Sequence, residues 1–288
     1  MDFWNTESEI RFFTEALKHF ASPEQLFYNL KDGYFAYAPK GKTTEGKTIQ
    51  SRNTLIGQYT EKWCKDFLQP IAHSLGLHAV NSVICSEIGL SKSTNADIAF
   101  CVTDETIQKA ENIKLIFEVK MSIVNNYSLN KKTNKIKLEG DYKSHKGTPS
   151  ILRSDSMLKA VGKSINIRVS GLKSAKIPIV ILGNSPITQT YKKKVDFLKQ
   201  AGVIQGFISL YPNPTKSFIK ESEQKGFQTF ENYAHLKIFI RHLVLTDMHF
   251  FSSMLPKQKL GKIIDISAKE QTATAKAERF LQLLNETN

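Results

Sequence analysis

Cysteine is scarce in this chain of 288 residues: Cys64, Cys85 and Cys101 are an odd number, form no Cys-x-x-Cys pair and lie among apolar neighbours. A disulfide framework and a thiolate zinc site are therefore both disfavoured, and the three read as small buried hydrophobes. There is no His-Glu-x-x-His, and His73 and His78 read as packing or surface residues rather than ligands. Long apolar runs are also missing. A stretch such as Ile177 to Leu182 contains Pro178 and is far shorter than the roughly 20 residues of a membrane helix. The chain starts with Asp2, Glu7 and Glu9 among aromatics instead of a basic stretch and an apolar run, which argues against a secretory signal and for the cytoplasm. With only 15 Gly and 9 Pro, and with 41% apolar and 10% aromatic residues, enough to build a sizeable core, wholesale disorder and collagen-like or mucin-like chains are excluded. No Gly-x-Gly-x-x-Gly turn follows an early strand, so a nucleoside cofactor has no evident cradle.

What the chain has in excess is positive charge. Forty Lys and Arg against 27 Asp and Glu leave a net charge of +13, a field that favours a polyanion, with nucleic acid first among the candidates. The surplus is concentrated: Lys131 to Lys176 contains twelve Lys or Arg against Glu139, Asp141 and Asp155.

Periodicity organises the rest. Ile10, Phe13, Leu17 and Phe20 give a short amphipathic helix over 8–20, and residues 38–53 read as a polar loop. From Leu55 the apolar residues step by four through Tyr59, Trp63, Phe67, Ile71 and Leu75, which predicts a long helix ending near Gly76. Strands are predicted at 79–84, 96–102, 113–121, 177–182 and 204–210, with helices at 150–167 and 188–200. Residues 230–254 and 267–284 read as further helices. This order implies an α/β fold: a mixed central β-sheet flanked by helices, carried by residues 51–215 between an N-terminal helical arm (1–50) and a C-terminal helical lobe (216–288).

The chemistry is concentrated in Asn95-Ala96-Asp97-Ile98-Ala99-Phe100, twelve mostly polar residues, and Ile113-Lys114-Leu115-Ile116-Phe117-Glu118-Val119-Lys120. Side chains alternate along a strand, so Glu118 and Lys120 share one face while Phe117, Val119 and Met121 take the other. An adjacent antiparallel strand brings Asp97 beside Glu118. Two carboxylates on a rigid sheet suit Mg²⁺, and a lysine beside them can orient an attacking water and offset charge on a phosphate. The competing explanation is a solvated ion pair. Against it, the two charges interrupt a strand that otherwise reads as buried, where charge calls for a partner or a metal.

Asp97 followed by Glu118-Val119-Lys120 resembles the PD-(D/E)xK nuclease superfamily over residues 55–210, most nearly its type II restriction endonucleases, although Ala96 stands where the motif has proline. The resemblance implies a restriction-endonuclease-like core, Asp97, Glu118 and Val119 as metal ligands, and Lys120 near the nucleophilic water. It also implies Mg²⁺-dependent, site-specific cleavage of double-stranded DNA within a restriction-modification system. A symmetric target favours a homodimer. A further acidic residue often assists in that superfamily, and Glu61 and Glu87 are the candidates. Glu61 lies off the apolar stripe of its helix and otherwise reads as part of a solvated face.

The basic segment gives the DNA contacts: a loop over 125–146 and a helix with Arg153, Lys159 and Lys163, from which Lys143, His145, Lys146, Arg153 and Lys159 are the preferred residues. Asn125, Asn126, Asn130, Asn134 and Arg153 are types suited to reading bases. The alternatives are a repair nuclease or junction resolvase of the same superfamily, a non-catalytic DNA-binding protein, and a DNA methyltransferase. The last is prompted by Asn184-Ser185-Pro186 after a strand, without the second proline and aromatic of an Asn-Pro-Pro-Tyr motif.

Overall fold

In a computed structural model of the protein, which describes residues 2–41, 49–211, 219–246 and 256–286, the apolar stripe from Leu55 lies on a helix of 24 residues. The helices in chain order are α1 (Thr6–His19), α2 (Pro23–Leu26), α3 (Gln50–His73), α4 (Ser154–Val169), α5 (Lys192–Gln200), α6 (Tyr233–Leu245), α7 (Lys257–Ser267) and α8 (Ala273–Glu286). The strands are β1 (Tyr28–Leu30), β2 (Gly33–Phe35), β3 (His78–Val83), β4 (Ala96–Cys101), β5 (Ile113–Lys120), β6 (Asn126–Asn130), β7 (Lys135–Gly140), β8 (Ile179–Gly183), β9 (Gly206–Ser209) and β10 (Phe227–Thr229). Residues 42–48, within the expected loop, and 247–254, within the expected helix from Phe230, lie outside the described residues.

Six strands form the central sheet in the order β10-β9-β8-β5-β4-β3. β3, β4 and β5 are antiparallel neighbours, whereas β5, β8, β9 and β10 run parallel, so the sheet is mixed as expected. Parallel neighbours need a crossover, and α5 supplies it between β8 and β9. The residues of β8 are all buried, which suits an Ile- and Val-rich strand covered on both faces. On one face Phe100, Leu115 and Phe117 share a core with Phe12 of α1, Phe67 and Ile71 of α3 and Ile240 of α6. On the other, Ile116, Ile181 and Phe207 pack with Met157 and Ala160 of α4 and Val195 of α5. Helices thus flank both faces. Each fully buried side chain of this size contributes roughly 1.5–3 kcal/mol over an exposed one.

The expected basic loop over 125–146 is instead largely a hairpin of β6 and β7, joined to β1 and β2 in a second, antiparallel sheet of order β1-β2-β6-β7. Tyr127 and Leu129 point into the core, Asn134 takes the positive φ of the turn, and Lys135 and Lys137 lie exposed on the outer strand. Charged side chains on that strand also discourage edge-to-edge pairing.

Residues 1–249 form one compact unit and 250–288 another. The expected N-terminal arm is built into the first: Trp4 is buried and packs edge-on against Trp63 of α3 at 5.3 Å. Glu9 of α1 is buried and accepts hydrogen bonds from Val124 N (2.6 Å), Asn125 N (3.1 Å), Tyr127 Oη (2.8 Å) and Trp4 Nε1 (3.2 Å). α6 also belongs to this unit, its Tyr233 hydroxyl donating to the Phe67 carbonyl at 3.0 Å. In the second unit the expected helix at 267–284 is α8, which begins only at Ala273, where the Thr272 hydroxyl accepts from Ala275 N at 3.1 Å; α7 (Lys257–Ser267) precedes it and was not expected. Among the described residues no helix is long and apolar enough to cross a membrane.

Candidate active site

β4 and β5 bring the sequence motif together. Their ladder pairs Ile98 with Phe117, and one step beyond it the Asp97 carboxylate takes over, its Oδ2 accepting the Val119 amide at 2.7 Å. Val119 and Phe117 belong to the core beneath α3, while Glu118 turns to the opposite face, as the period of a strand requires. There Lys120 Nζ donates to Glu118 Oε1 at 2.5 Å, lies 3.7 Å from Asp97 Oδ2 and donates to the Val119 carbonyl at 3.1 Å. Asp97, Glu118 and Lys120 therefore converge.

A fourth group enters the cluster from α4. Lys163 Nζ donates to Asp97 Oδ1 at 2.9 Å and is ion-paired with Glu118 Oε2. The sequence pattern puts Lys163 on the DNA-facing surface of this helix. The buried stripe Met157, Ala160, Ser164 and Ile167 instead carries it against the sheet. That stripe was the signal available in the sequence, since position 163 directly flanks it.

Burial sets the electrostatics. The Glu118 side chain is 5% exposed, Asp97 13%, and each lysine 21%, so the carboxylates are largely desolvated while both ammonium groups remain within reach of solvent. Burial, and next the Asp97 charge, raises the Glu118 pKa, with Lys120 and Lys163 opposing them. For Lys163 burial acts against the charged form, but the Asp97 and Glu118 carboxylates outweigh it and hold the pKa above the ordinary value. Glu61 is half-buried on α3, not on a solvated face. Burial, then the Asp97 charge, pushes its carboxyl up to about 7, with Lys120, Lys163 and Glu118 also acting on it. Glu87, the other assisting candidate, is engaged elsewhere: it accepts from Ala110 N at 2.7 Å and pairs with Lys173.

The end of β5 is fixed by a side-chain lattice. Ser150, held at φ +51°, accepts from Asn184 N at 3.0 Å and donates through its hydroxyl to the Lys120 carbonyl at 2.5 Å, while its amide donates to Ser122 Oγ at 2.7 Å. Asn184 clasps the Ser122 backbone, accepting from its amide at 3.1 Å and donating to its carbonyl at 2.6 Å. The side chain behind the methyltransferase alternative is thus buried and engaged in structure. Gly183 allows the close approach of Ile151, because a Cβ there would meet its side chain at 2.8 Å.

Beside the cluster opens a cleft of about 760 Å³, lined by Lys120, Lys146, Arg153 and Lys159 with Asp155 as its acidic residue. Lys146 is exposed, whereas Arg153 and Lys159 share Asp155 at 3.4 and 3.2 Å. Lys143 is exposed on the same segment, its Nζ 6.0 Å from the centre of the Tyr142 ring. His145 corrects the expectation for it. Its ring is buried, stacked on Tyr37 at 4.1 Å, with Nε2 bonded to the Val124 carbonyl at 3.0 Å and Nδ1 accepting from Gly147 N at 3.0 Å. Asn125 and Asn126 are likewise buried, donating to the Tyr211 hydroxyl and accepting from Tyr37 N respectively, both at 2.9 Å. Exposed Asn130 and Asn134 remain at the hairpin turn. Sequence reasoning also passed over Arg52, which is buried under the cleft, donates to the Ala36 carbonyl and lies 4.6 Å from the centre of the Tyr37 ring.

The donor set fits a hard divalent cation. Glu118 Oε2 is buried, ion-paired but without a hydrogen bond, and Asp97 and the Val119 carbonyl add oxygen donors beside it. Among the described residues no group of three or more His, Cys, Asp or Glu is arranged around one point. A two-carboxylate site is the kind Mg²⁺ accepts, because that ion keeps several waters, and is poor for Zn²⁺. His73 lies at hydrogen-bond distance from the Gln69 amide, 2.5 Å away, and meets His78 edge to face at 6.1 Å. Comparison with protein-family models, curated proteins and solved structures returns no match.

Proposed function

We propose that the protein is a Mg²⁺-dependent endodeoxyribonuclease that hydrolyses phosphodiester bonds in double-stranded DNA, with a core of the restriction-endonuclease kind. The observation that carries this reading is the convergence of Asp97, Glu118 and Lys120 at the end of β5, with Lys120 also lining a basic cleft. Asp97, Glu118 and the Val119 carbonyl would hold the cation. When bound, Mg²⁺ supplies charge neutralisation at the phosphate and a more acidic water. Lys120 orients the attacking water and stabilises the added negative charge at phosphorus; one P–O bond forms as the water releases a proton to solvent, one ester P–O bond breaks, and the leaving oxygen takes up a proton. Lys143, Lys146, Arg153 and Lys159 grip the backbone phosphates.

Type II cleavage at a specific site, by a homodimer within a restriction-modification system, is the form of this activity that we favour. Incubation of the protein with plasmid and phage DNA, in Mg²⁺ or in chelator, tests it. Discrete fragments formed only with Mg²⁺ support the proposal. Cleavage confined to branched or damaged DNA favours a resolvase or repair nuclease, and no cleavage of any duplex under either condition overturns the site-specific endonuclease.

A further inference from the structure

The ammonium of Lys163 lies between the two carboxylates. It bridges Asp97 Oδ1 and Glu118 Oε2, while Lys120 holds Glu118 Oε1 and approaches Asp97 Oδ2. Each carboxylate thus has one oxygen facing each lysine. Lys120 is fixed to the strand that carries Glu118, so its position is part of the motif. Lys163 reaches in from a separate helix, and nothing in the strand pairing requires it there.

We infer that Lys163 is an internal counter-ion that competes with the divalent cation for Asp97 and Glu118, so that metal binds only as this ammonium is displaced. This rests on the metal-dependent reading of the same site and adds a regulatory residue to it. The physical reason is charge: a carboxylate pair this desolvated needs compensation when metal is absent, and a positive group at hydrogen-bond distance from the ligand oxygens repels a divalent ion. Displacement also has a destination. One turn earlier on α4, Lys159 lines the cleft, so DNA phosphate is an alternative anion for the freed ammonium.

The test is the affinity for Mn²⁺ alone, measured on the full chain without DNA by calorimetry or by the decrease of the free-ion paramagnetic signal. Lys163→Met should tighten Mn²⁺ binding by about tenfold or more, whereas Lys163→Arg, which keeps the charge, should stay near the unmodified protein. Thermal unfolding gives a second readout. Without metal Lys163→Met should melt lower, and saturating Mn²⁺ should raise its Tm by more than it raises that of the unmodified protein. Should the methionine variant fail to fold, Lys163→Gln takes its place in both measurements. Binding that Glu118→Gln abolishes but Lys163→Met leaves unchanged overturns the counter-ion role while the metal site stands. No Mn²⁺ binding by either the unmodified protein or Lys163→Met overturns both.

Discussion

Asp97 and Val119 are joined by a hydrogen bond from the Val119 amide to the Asp97 carboxylate at 2.7 Å, where the ladder between β4 and β5 stops. One side chain therefore closes the sheet and presents its other oxygen to Lys163. Asp97→Ala should lose both functions: cleavage is abolished, and the orphaned amide costs about 1–3 kcal/mol of stability. Asp97→Asn keeps an acceptor for Val119 and should recover most of that stability without recovering cleavage. Urea unfolding alongside a cleavage assay distinguishes the two.

Lys120 lies against both carboxylates and lines the cleft, and under the proposed mechanism it would act on the water and phosphate more than on metal retention. Lys120→Ala should slow single-turnover hydrolysis by about 10²-fold or more while the protein still binds Mn²⁺ and DNA. A variant that cleaves at the normal rate would remove Lys120 from the mechanism.

His145 and the exposed cations of its segment should behave oppositely. Neutralising Lys146 or Arg153 should weaken DNA binding and reduce the slope of log affinity against log salt by about one for each phosphate no longer neutralised. His145→Ala should leave that slope unchanged. It should instead lower stability by about 1–3 kcal/mol, because the ring is buried and both nitrogens are bonded.

Glu9 and Glu61 set a pH dependence. Both carboxyls are pushed up to about 7, chiefly by burial, so the folded protein holds these protons more tightly than the unfolded chain. The stability they contribute is fully present below about 4.5, the ordinary value, and is lost as pH rises through about 7. Glu61→Gln should match the unmodified protein at the acid end and become the more stable of the two by about pH 8, as read from urea unfolding across the range. An unchanged difference at all pH values would contradict the burial of Glu61 beside Asp97.

Five of the six strands of the central sheet were legible as short apolar runs, and α3 was legible because six apolar residues repeat at a spacing of four; β10, three residues within the expected helical lobe, was not. Period-two alternation alone placed Glu118 and Lys120 on one face, which the geometry bears out. The hairpin of β6 and β7 was hidden because Ser128 and Asn130 alternate with Tyr127 and Leu129, and Lys131, Lys132, Lys135 and Lys137 crowd the turn and the outer strand around Ile136, so the stretch reads as polar. Lys163 and Glu61 were misplaced for a related reason. A charged residue on a helix defaults to solvent, and only the packing of α3 and α4 against the end of β5 brings these two to the carboxylates. The start of α8 was placed six residues early, at Ser267 instead of Ala273, because Ala268, Lys269, Glu270 and Gln271 are all good helix formers.

The most direct measurement is cleavage of supercoiled plasmid by the unmodified protein, Asp97→Asn and Glu118→Gln, each in Mg²⁺ and in chelator, with DNA binding followed in parallel. Nicked and linear products from the unmodified protein in Mg²⁺ alone, together with two variants that bind DNA but do not cut it, are the expected result. Cleavage that persists in chelator, or in either variant at the unmodified rate, would contradict a metal-dependent nuclease centred on these carboxylates.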